Sequence, residues 1–361
     1  MTAPRRLRML EERAPELETC VYCPKLCRAA CPVSDAEASD TVTPWGQMSA
    51  LHRVARGAAE ASPEYAALSF ACSGCRGCRE RCDHHNPVPE TLFEARAVYR
   101  EQGLAPPAVT RFHDGFSARL SRVRARIDSL RERHGHAERA ATALVVGCDY
   151  ALHLDAELDD GVAAARALFG PLRIAAGCCG MPLEAAGDPA RASALRSELR
   201  AELSGATRAL AFDAGCAFAL AADGVVPFAR AAEQALREPP HALGKRAQVE
   251  LGPLRYHDPC YLARGLGETQ APRALLRRFS GHAPAEFSRR EAHTRCSGGG
   301  ALLPITRPET RARIAEDRVQ EHQRLGGGTI VTACAASLRS LRAAGANVVD
   351  LLTIVRRLAG P

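Results

Sequence analysis

The sequence predicts an α + α/β fold: an all-helical N-terminal domain followed by two tandem α/β repeats. Three observations carry this. Eight of the fifteen cysteines fall in two tight runs between Cys20 and Cys82. The other seven recur as two similar sets beyond Gly147. Strand-like runs alternate with helical patterns only in that second stretch. At ~100–200 residues per domain, 361 residues allow two or three domains. The boundaries are expected at 1–110, 111–140 (a linker helix), 141–245 and 246–361.

The composition narrows the class. Hydrophobic residues make up 46% and charged residues 25%, which excludes disorder for most of the chain. The net charge of +7 is spread among interspersed acids, unlike the concentrated basic face of a nucleic-acid binder. An odd cysteine count and no apolar leader in the first thirteen residues argue for reduced, metal-bound thiols in the cytoplasm. The most apolar window, Ala209–Ala229, is broken by Asp213, Gly215, Asp223, Gly224 and Pro227, so no transmembrane segment is expected. Attachment at the inner face of a membrane would need a partner or a surface contact.

The first cysteine run is Cys20, Cys23, Cys27 and Cys31, followed by Pro32; the second is Cys72, Cys75, Cys78 and Cys82, followed by Asp83. The second has the C-x2-C-x2-C-x3-C spacing of bacterial ferredoxins, and the first has one extra residue in its middle gap. In that arrangement three thiolates wrap one cubane, and the fourth, at the start of the next helix, completes the other. The expected sets are Cys20, Cys23, Cys27 and Cys82 for one [4Fe–4S] cluster, and Cys72, Cys75, Cys78 and Cys31 for a second. Structural zinc, the competing reading, favours two knuckles far apart in sequence. Proline after the fourth cysteine only shapes the exit, so Asp83 is expected to cost little.

Between the runs, Thr43-Pro44-Trp45-Gly46 is a turn signal, and a helix is expected over Gln47–Ala59. Trp45 is expected to pack over the first cluster. His84 and His85 are read as exposed loop residues ahead of a helix at Glu90–Gln102. Phe116, Leu120, Val123, Ile127 and Leu130 share one face of a linker helix ending near Arg133, its other face rich in arginine. Packing is the plain reading of that helix, and docking to a partner or an anionic membrane the sharper one.

The C-terminal cysteines form two copies. Cys148, Cys178, Cys179 and Cys216 match Cys260, Cys296 and Cys334 at offsets of 112, 117 and 118 residues. Strands are expected at Ala143–Gly147, Ala209–Phe212, Leu254–Pro259 and Ile330–Ala333, and helices at Pro189–Leu203 and Pro308–Leu325. Parallel strands would bring the cysteines to their carboxyl ends, where such sheets bind ligands. The glycine triplets at 298–300 and 326–328 lack the Lys-Ser/Thr of a phosphate loop.

Two ferredoxin runs followed by two such repeats resemble the CCG-domain iron–sulfur proteins. These include heterodisulfide reductase subunits and the iron–sulfur subunits of glycolate oxidase, lactate-utilisation complexes and anaerobic glycerol-3-phosphate dehydrogenase. Cys178-Cys179-Gly180-Met181-Pro182, His257-Asp258-Pro259-Cys260 and the two runs carry the resemblance. The family repeat, C…CCG…C-x-x-C, has five thiols. In copy one Ala219 stands in for the last of them. In copy two Arg295, Ser297 and Ser337 stand in for the first cysteine of the pair, its glycine and the final cysteine.

On that alignment Cys148, Cys178, Cys179 and Cys216 could hold a third cluster or zinc. Cys260, Cys296 and Cys334 need a further ligand, leave an iron open, or hold no metal. His257 and His293 are read as structural in preference to ligating. The resemblance implies an electron-transfer subunit of an oxidoreductase complex, passing single electrons between a flavin-dependent dehydrogenase and a quinone or other carrier. A heterodisulfide reductase-like thiol–disulfide reductase is the alternative, and no catalytic residue is assigned.

Overall fold

The protein is described from a computed structural model covering residues 8–237 and 251–360. Two compact units divide it. The first contains the chain up to Gly115 together with two returning segments, Met181–Ala192 and Arg295–Asp317, and the second contains the rest. This differs from the contiguous domains expected from sequence. The returning segments bring apolar side chains to the N-terminal unit: Ala186 lies with Phe70 and Val109, and Leu303 and Ile314 lie with Val33, Val42 and Ala71. Helical periodicity reports which face is buried, not against what. The expected boundary at 245/246 lies outside the described residues.

The N-terminal unit is helical: α1 (Ala14–Val21), α2 (Pro32–Glu37), α3 (Pro44–Ala55), α4 (Pro63–Ser69), α5 (Val88–Glu101) and α6 (Pro107–Asp114). All six carry proline at the first or second position, where its fixed φ suits a helix and its missing N–H costs nothing. Thr43 Oγ1 caps α3 by accepting from the Gly46 amide at 3.0 Å. The helix therefore starts three residues before the expected Gln47, and it stops at Ala55. Gly46 is obligatory, because a Cβ there would lie 2.3 Å from the Asp40 carbonyl oxygen. Leu17, Met48, Leu51, Leu92 and Tyr99 form the centre of the core.

The two cysteine runs leave differently. Cys31 is the N-cap of α2, with Pro32 as its first residue. Cys82 only closes a 3-10 turn at Arg79–Arg81, and the next helix waits until Val88. The exchange of Pro32 for Asp83 thus coincides with a different exit from the run, which is the part proline was expected to play.

The second unit opens with α7 (Phe116–His134), whose five apolar residues are all buried. Its arginines pair with acids of the same unit: Arg119 with Asp149 at 2.8 Å, Arg133 with Asp159 at 2.9 Å, Arg124 with Glu198 at 3.4 Å and Arg126 with Asp155 at 3.6 Å. That is the packing arrangement. Next come β1 (Thr142–Val145), β2 (Leu172–Ala175), β3 (Arg208–Ala211) and β4 (Val226–Pro227), all parallel in the order β2-β1-β3-β4. A second parallel sheet runs β5 (Leu254–Tyr256), β6 (Thr329–Thr332), β7 (Val348–Asp350). Arg255 also bridges Ala285 in parallel, on the side of β5 that β2 occupies beside β1. The same strand order therefore occurs twice, and the core strands are apolar because helices bury them.

Candidate functional site

Cys20 lies in the last turn of α1, Cys23 just beyond it, Cys27 in the 3-10 turn Leu26–Ala30, and Cys82 after Arg79–Arg81. The four line one cavity of about 100 Å³ together with Trp45 and Asn86. Its rim includes the exposed residues Pro24, Lys25, Arg81, Asp83 and His84, so this set opens to the surface. Asn86 Nδ2 donates to Cys20 Sγ at 3.1 Å and to the Glu16 carbonyl at 2.7 Å. Trp45 sits on the cavity as expected, held by a 3.3 Å bond from its indole N–H to the Val21 carbonyl and by the Lys25 ammonium 3.8 Å above its ring. Burial, then the neighbouring thiolates, push Cys20 up to about 12 and Cys27 up to about 11.

The second set is the more buried: Cys75 and Cys78 are buried and Cys31 and Cys72 half-buried, with Cys78 also on the wall of the first set's cavity. Cys72, Cys75 and Cys78 lie on the loop after α4, and Cys31 interacts electrostatically with Cys72, Cys75 and Cys78. Burial again dominates, pushing Cys31 up to about 12, Cys72 up to about 11 and Cys78 well above its ordinary value. The Gly74 amide donates to Cys72 Sγ at 3.3 Å, with Gly74 at φ +68°. Behind the loop lies the fully buried Arg96 of α5, which donates to the Cys72 carbonyl at 2.6 Å.

The donor chemistry of both sets fits [4Fe–4S] centres: four thiols each, with N–H donors aimed at sulfur. Crowded buried thiols resist ionisation at neutral pH, and a cationic iron centre supplies the missing compensation. Among the described residues, no group of three or more His, Cys, Asp or Glu is placed to hold a single metal ion.

A third set gathers at the carboxyl ends of the first sheet. Cys216 and Cys179 sulfurs are 3.3 Å apart, and Cys178 interacts with both Cys179 and Cys148. Gly180, at φ +81°, turns the chain so that its amide meets Cys178 Sγ at 3.4 Å. Arg119 reaches Cys148 Sγ at 3.9 Å. Copy two is divided: Cys296 belongs to the N-terminal unit, while Cys260 and Cys334 belong to the α/β unit. Cys334 caps the helix Ala335–Ala343, and its thiol interacts with Ser337.

The local geometry corrects the expected alignment of the copies. The Gly298 amide meets Cys296 Sγ at 3.3 Å with Gly298 at φ +81°, which is the Cys178–Gly180 turn again. Cys296 therefore corresponds to Cys178, Ser297 to Cys179 and Gly298 to Gly180. The glycine is kept and the second thiol is lost.

Two family models match the chain, a 4Fe-4S dicluster domain over residues 16–86 and a cysteine-rich domain over residues 254–341. The chain is an iron–sulfur protein with a dicluster domain and a CCG-type cysteine-rich domain. The second match falls on the copy with three thiols. Its relatives include two reductase subunits and a ferredoxin. It is 31% identical over 88 residues to a dihydromethanophenazine:CoB–CoM heterodisulfide reductase subunit of Methanosarcina barkeri, covering 24% of this chain and 22% of that protein. It is 24% identical over 281 residues to a fumarate reductase (CoM/CoB) subunit of Methanothermobacter marburgensis, covering 73% and 55%. It is 40% identical over 79 residues to a probable membrane-anchored ferredoxin of Chromohalobacter salexigens, covering 22% and 12%. The matched stretches thus span between about a tenth and about half of these relatives' lengths. Among the described residues no helix is long and apolar enough to cross a membrane.

Several residues around the thiol sets and in the α/β unit were not singled out from the sequence. Asn86 was hidden in a polar turn and Arg96 among many arginines, Asp213 was noted only as a break in an apolar window, and no local pattern marked Asp350. His257 was legible as structural: it is buried, its Nδ1 accepts from Arg318 Nε at 3.2 Å, and burial beside that cation keeps it neutral. Asp258 is held by both Nη atoms of Arg273 at 2.7 and 2.9 Å. His293 closes a 3-10 turn, and His84 and His85 are exposed.

Proposed function

We propose that this iron–sulfur protein is an electron-transfer subunit that passes single electrons between a flavin-dependent dehydrogenase and a quinone or other carrier. The observation that carries the reading is the pairing of one open and one more buried four-thiol set in a single helical unit. When bound, a [4Fe–4S] centre accepts and returns one electron at a time. The chain's part is to hold sulfur, supply N–H donors and exclude water from the second set. The rim of the first set, Lys25 included, offers a partner close approach, while Trp45 packs on the cavity. We assign Cys20, Cys23, Cys27 and Cys82 to one centre, and Cys31, Cys72, Cys75 and Cys78 to the other. The site of action is proposed to be the cytoplasm, or the inner membrane face through a partner.

The test is anaerobic purification from the native source with iron, sulfide and flavin analysis. About eight irons from four per cubane, reducible by a co-purifying flavoprotein, are expected. A zinc-loaded, colourless protein would refute the reading. The convergence of Cys148, Cys178, Cys179 and Cys216, with the likeness to heterodisulfide reductase subunits, supports a second reading as a thiol–disulfide reductase subunit. A paramagnetic signal of the oxidised protein that changes on adding a thiol would favour it, although Ala219 in place of a fifth thiol weighs against it.

A further inference from the structure

Arg96 is one of the largest fully buried side chains. Its Nε and Nη2 donate to the Ser69 carbonyl at 3.0 and 2.9 Å, and Nη2 donates to the Cys72 carbonyl at 2.6 Å. Its Nη1 donates to the Ala185 carbonyl at 2.9 Å and the Ala301 carbonyl at 3.2 Å. One guanidinium therefore binds the loop carrying Cys72 and both returning segments. Phe93 and Phe70 lie 4.4 and 5.0 Å from it. Glycines permit this closeness: a Cβ at Gly187 would stand 2.6 Å from the Arg96 carbonyl oxygen, and one at Gly300 would stand 2.7 Å from that of Ser73.

The guanidinium keeps its charge in proteins. In a dry interior that charge acts strongly on a neighbouring group that becomes more negative. Adding one electron to a thiolate-bound cluster breaks no bond and raises its negative charge by one.

We propose that Arg96 is a positioning residue that raises the reduction potential of the centre held by Cys31, Cys72, Cys75 and Cys78, offsetting the burial of that set. This rests on the two-centre reading above. The cation is expected to act chiefly on the second set, since the carbonyl it holds beside a cluster thiol belongs to Cys72.

The test is an anaerobic redox titration followed by electron paramagnetic resonance on the full chain and on Arg96→Gln and Arg96→Lys, each with its iron counted. Arg96→Gln is expected to disfavour reduction of the second centre by tenfold or more, about 59 mV for one electron, with the first centre unmoved. Arg96→Lys, which keeps the charge, is expected to shift it far less. Equal shifts in the two variants, or none, with iron complete, overturn the proposal and leave the two-centre reading intact. An unaltered protein without two reducible centres overturns that reading instead. If Arg96→Gln fails to assemble the second centre, the unaltered protein decides by salt. A buried cation is little screened, so the second potential should hold while the exposed first one moves. A second potential that follows salt as the first does overturns the proposal.

Discussion

The thiol set of Cys31, Cys72, Cys75 and Cys78 and the thiol set of the first sheet each gather four cysteines, in different electrical surroundings, although each has an arginine close by, Arg96 at the Cys72 carbonyl and Arg119 3.9 Å from Cys148 Sγ. The former has the buried Arg96 cation against its loop. The latter also has a carboxyl at hand, Asp213, which interacts with Cys216 and Cys334, and the same unit buries a second one, Asp350, at the end of β7. Burial pushes Asp213 up to about 6 and Asp350 up to about 7. A thiolate-bound cluster is anionic, so a cation nearby eases its formation, whereas carboxylates oppose it unless they stay protonated. Equal donor counts therefore do not mean equal readiness for metal.

The largest test of this contrast is iron content. Cys75→Ser should lose about four irons, one cubane, and leave the α/β unit folded. Cys179→Ser should lose as many only if the first sheet's set is filled in the unaltered protein. Retention of all iron by Cys75→Ser would refute the ligand assignment.

The raised carboxyls also make the stability of the α/β unit pH-dependent. Asp350 Oδ2 accepts from the Tyr150 hydroxyl at 2.7 Å and Oδ1 from the Leu352 amide at 2.8 Å, with Glu157 and Arg342 the nearby charges. Its carboxyl binds its proton more tightly folded than unfolded. The stability this gives is complete below about pH 4 and lost as pH rises through about 7. Asp350→Asn should remove that decline from the α/β unit, a difference of roughly 2–4 kcal/mol between pH 4 and pH 8. Asp213, also raised, supplies the remainder. Chemical unfolding across that range checks it; a variant that declines as steeply as the unaltered protein counts against buried proton retention.

Backbone approach gives the next effect. Gly187→Ala sets a methyl against the Arg96 carbonyl at φ +84°, and should cost about 2–3 kcal/mol. Gly205→Ala, at φ +75° with open space around it, should cost about 1 kcal/mol. Thermal unfolding of the two variants separates crowding from backbone strain. Equal losses would remove the special role given to the returning segments.

What the sequence made legible follows from local rules. Cysteine spacing reveals the runs because three ligands of one cluster must come from one short loop. The α7 stripe and Pro189–Leu203 are visible because a helix writes its period into the chain. The returning segments are invisible because no local rule encodes the partner of Ala186 or Leu303. The alignment of the copies slipped by one residue at Cys296 because a cysteine was matched to the nearer cysteine, while the backbone conserves the turn ending at Gly298. Asp350 looked ordinary because burial and the Tyr150 bond are tertiary facts.

The smallest effect concerns the open set, and it probes whether the two sets of the dicluster domain are tuned separately. Asn86 gives Cys20 a neutral N–H donor where Arg96 brings a full charge near Cys72. Asn86→Ala removes that bond and the one to the Glu16 carbonyl, for about 1 kcal/mol of stability. Sulfur that loses a donor bears negative charge less well, so reduction of the first centre becomes harder while the second is untouched. The expected pattern is a cross: Asn86→Ala lowers only the first potential, Arg96→Gln only the second. A common shift of both centres in either variant would mean that the change travels through the fold and not through the field at one sulfur.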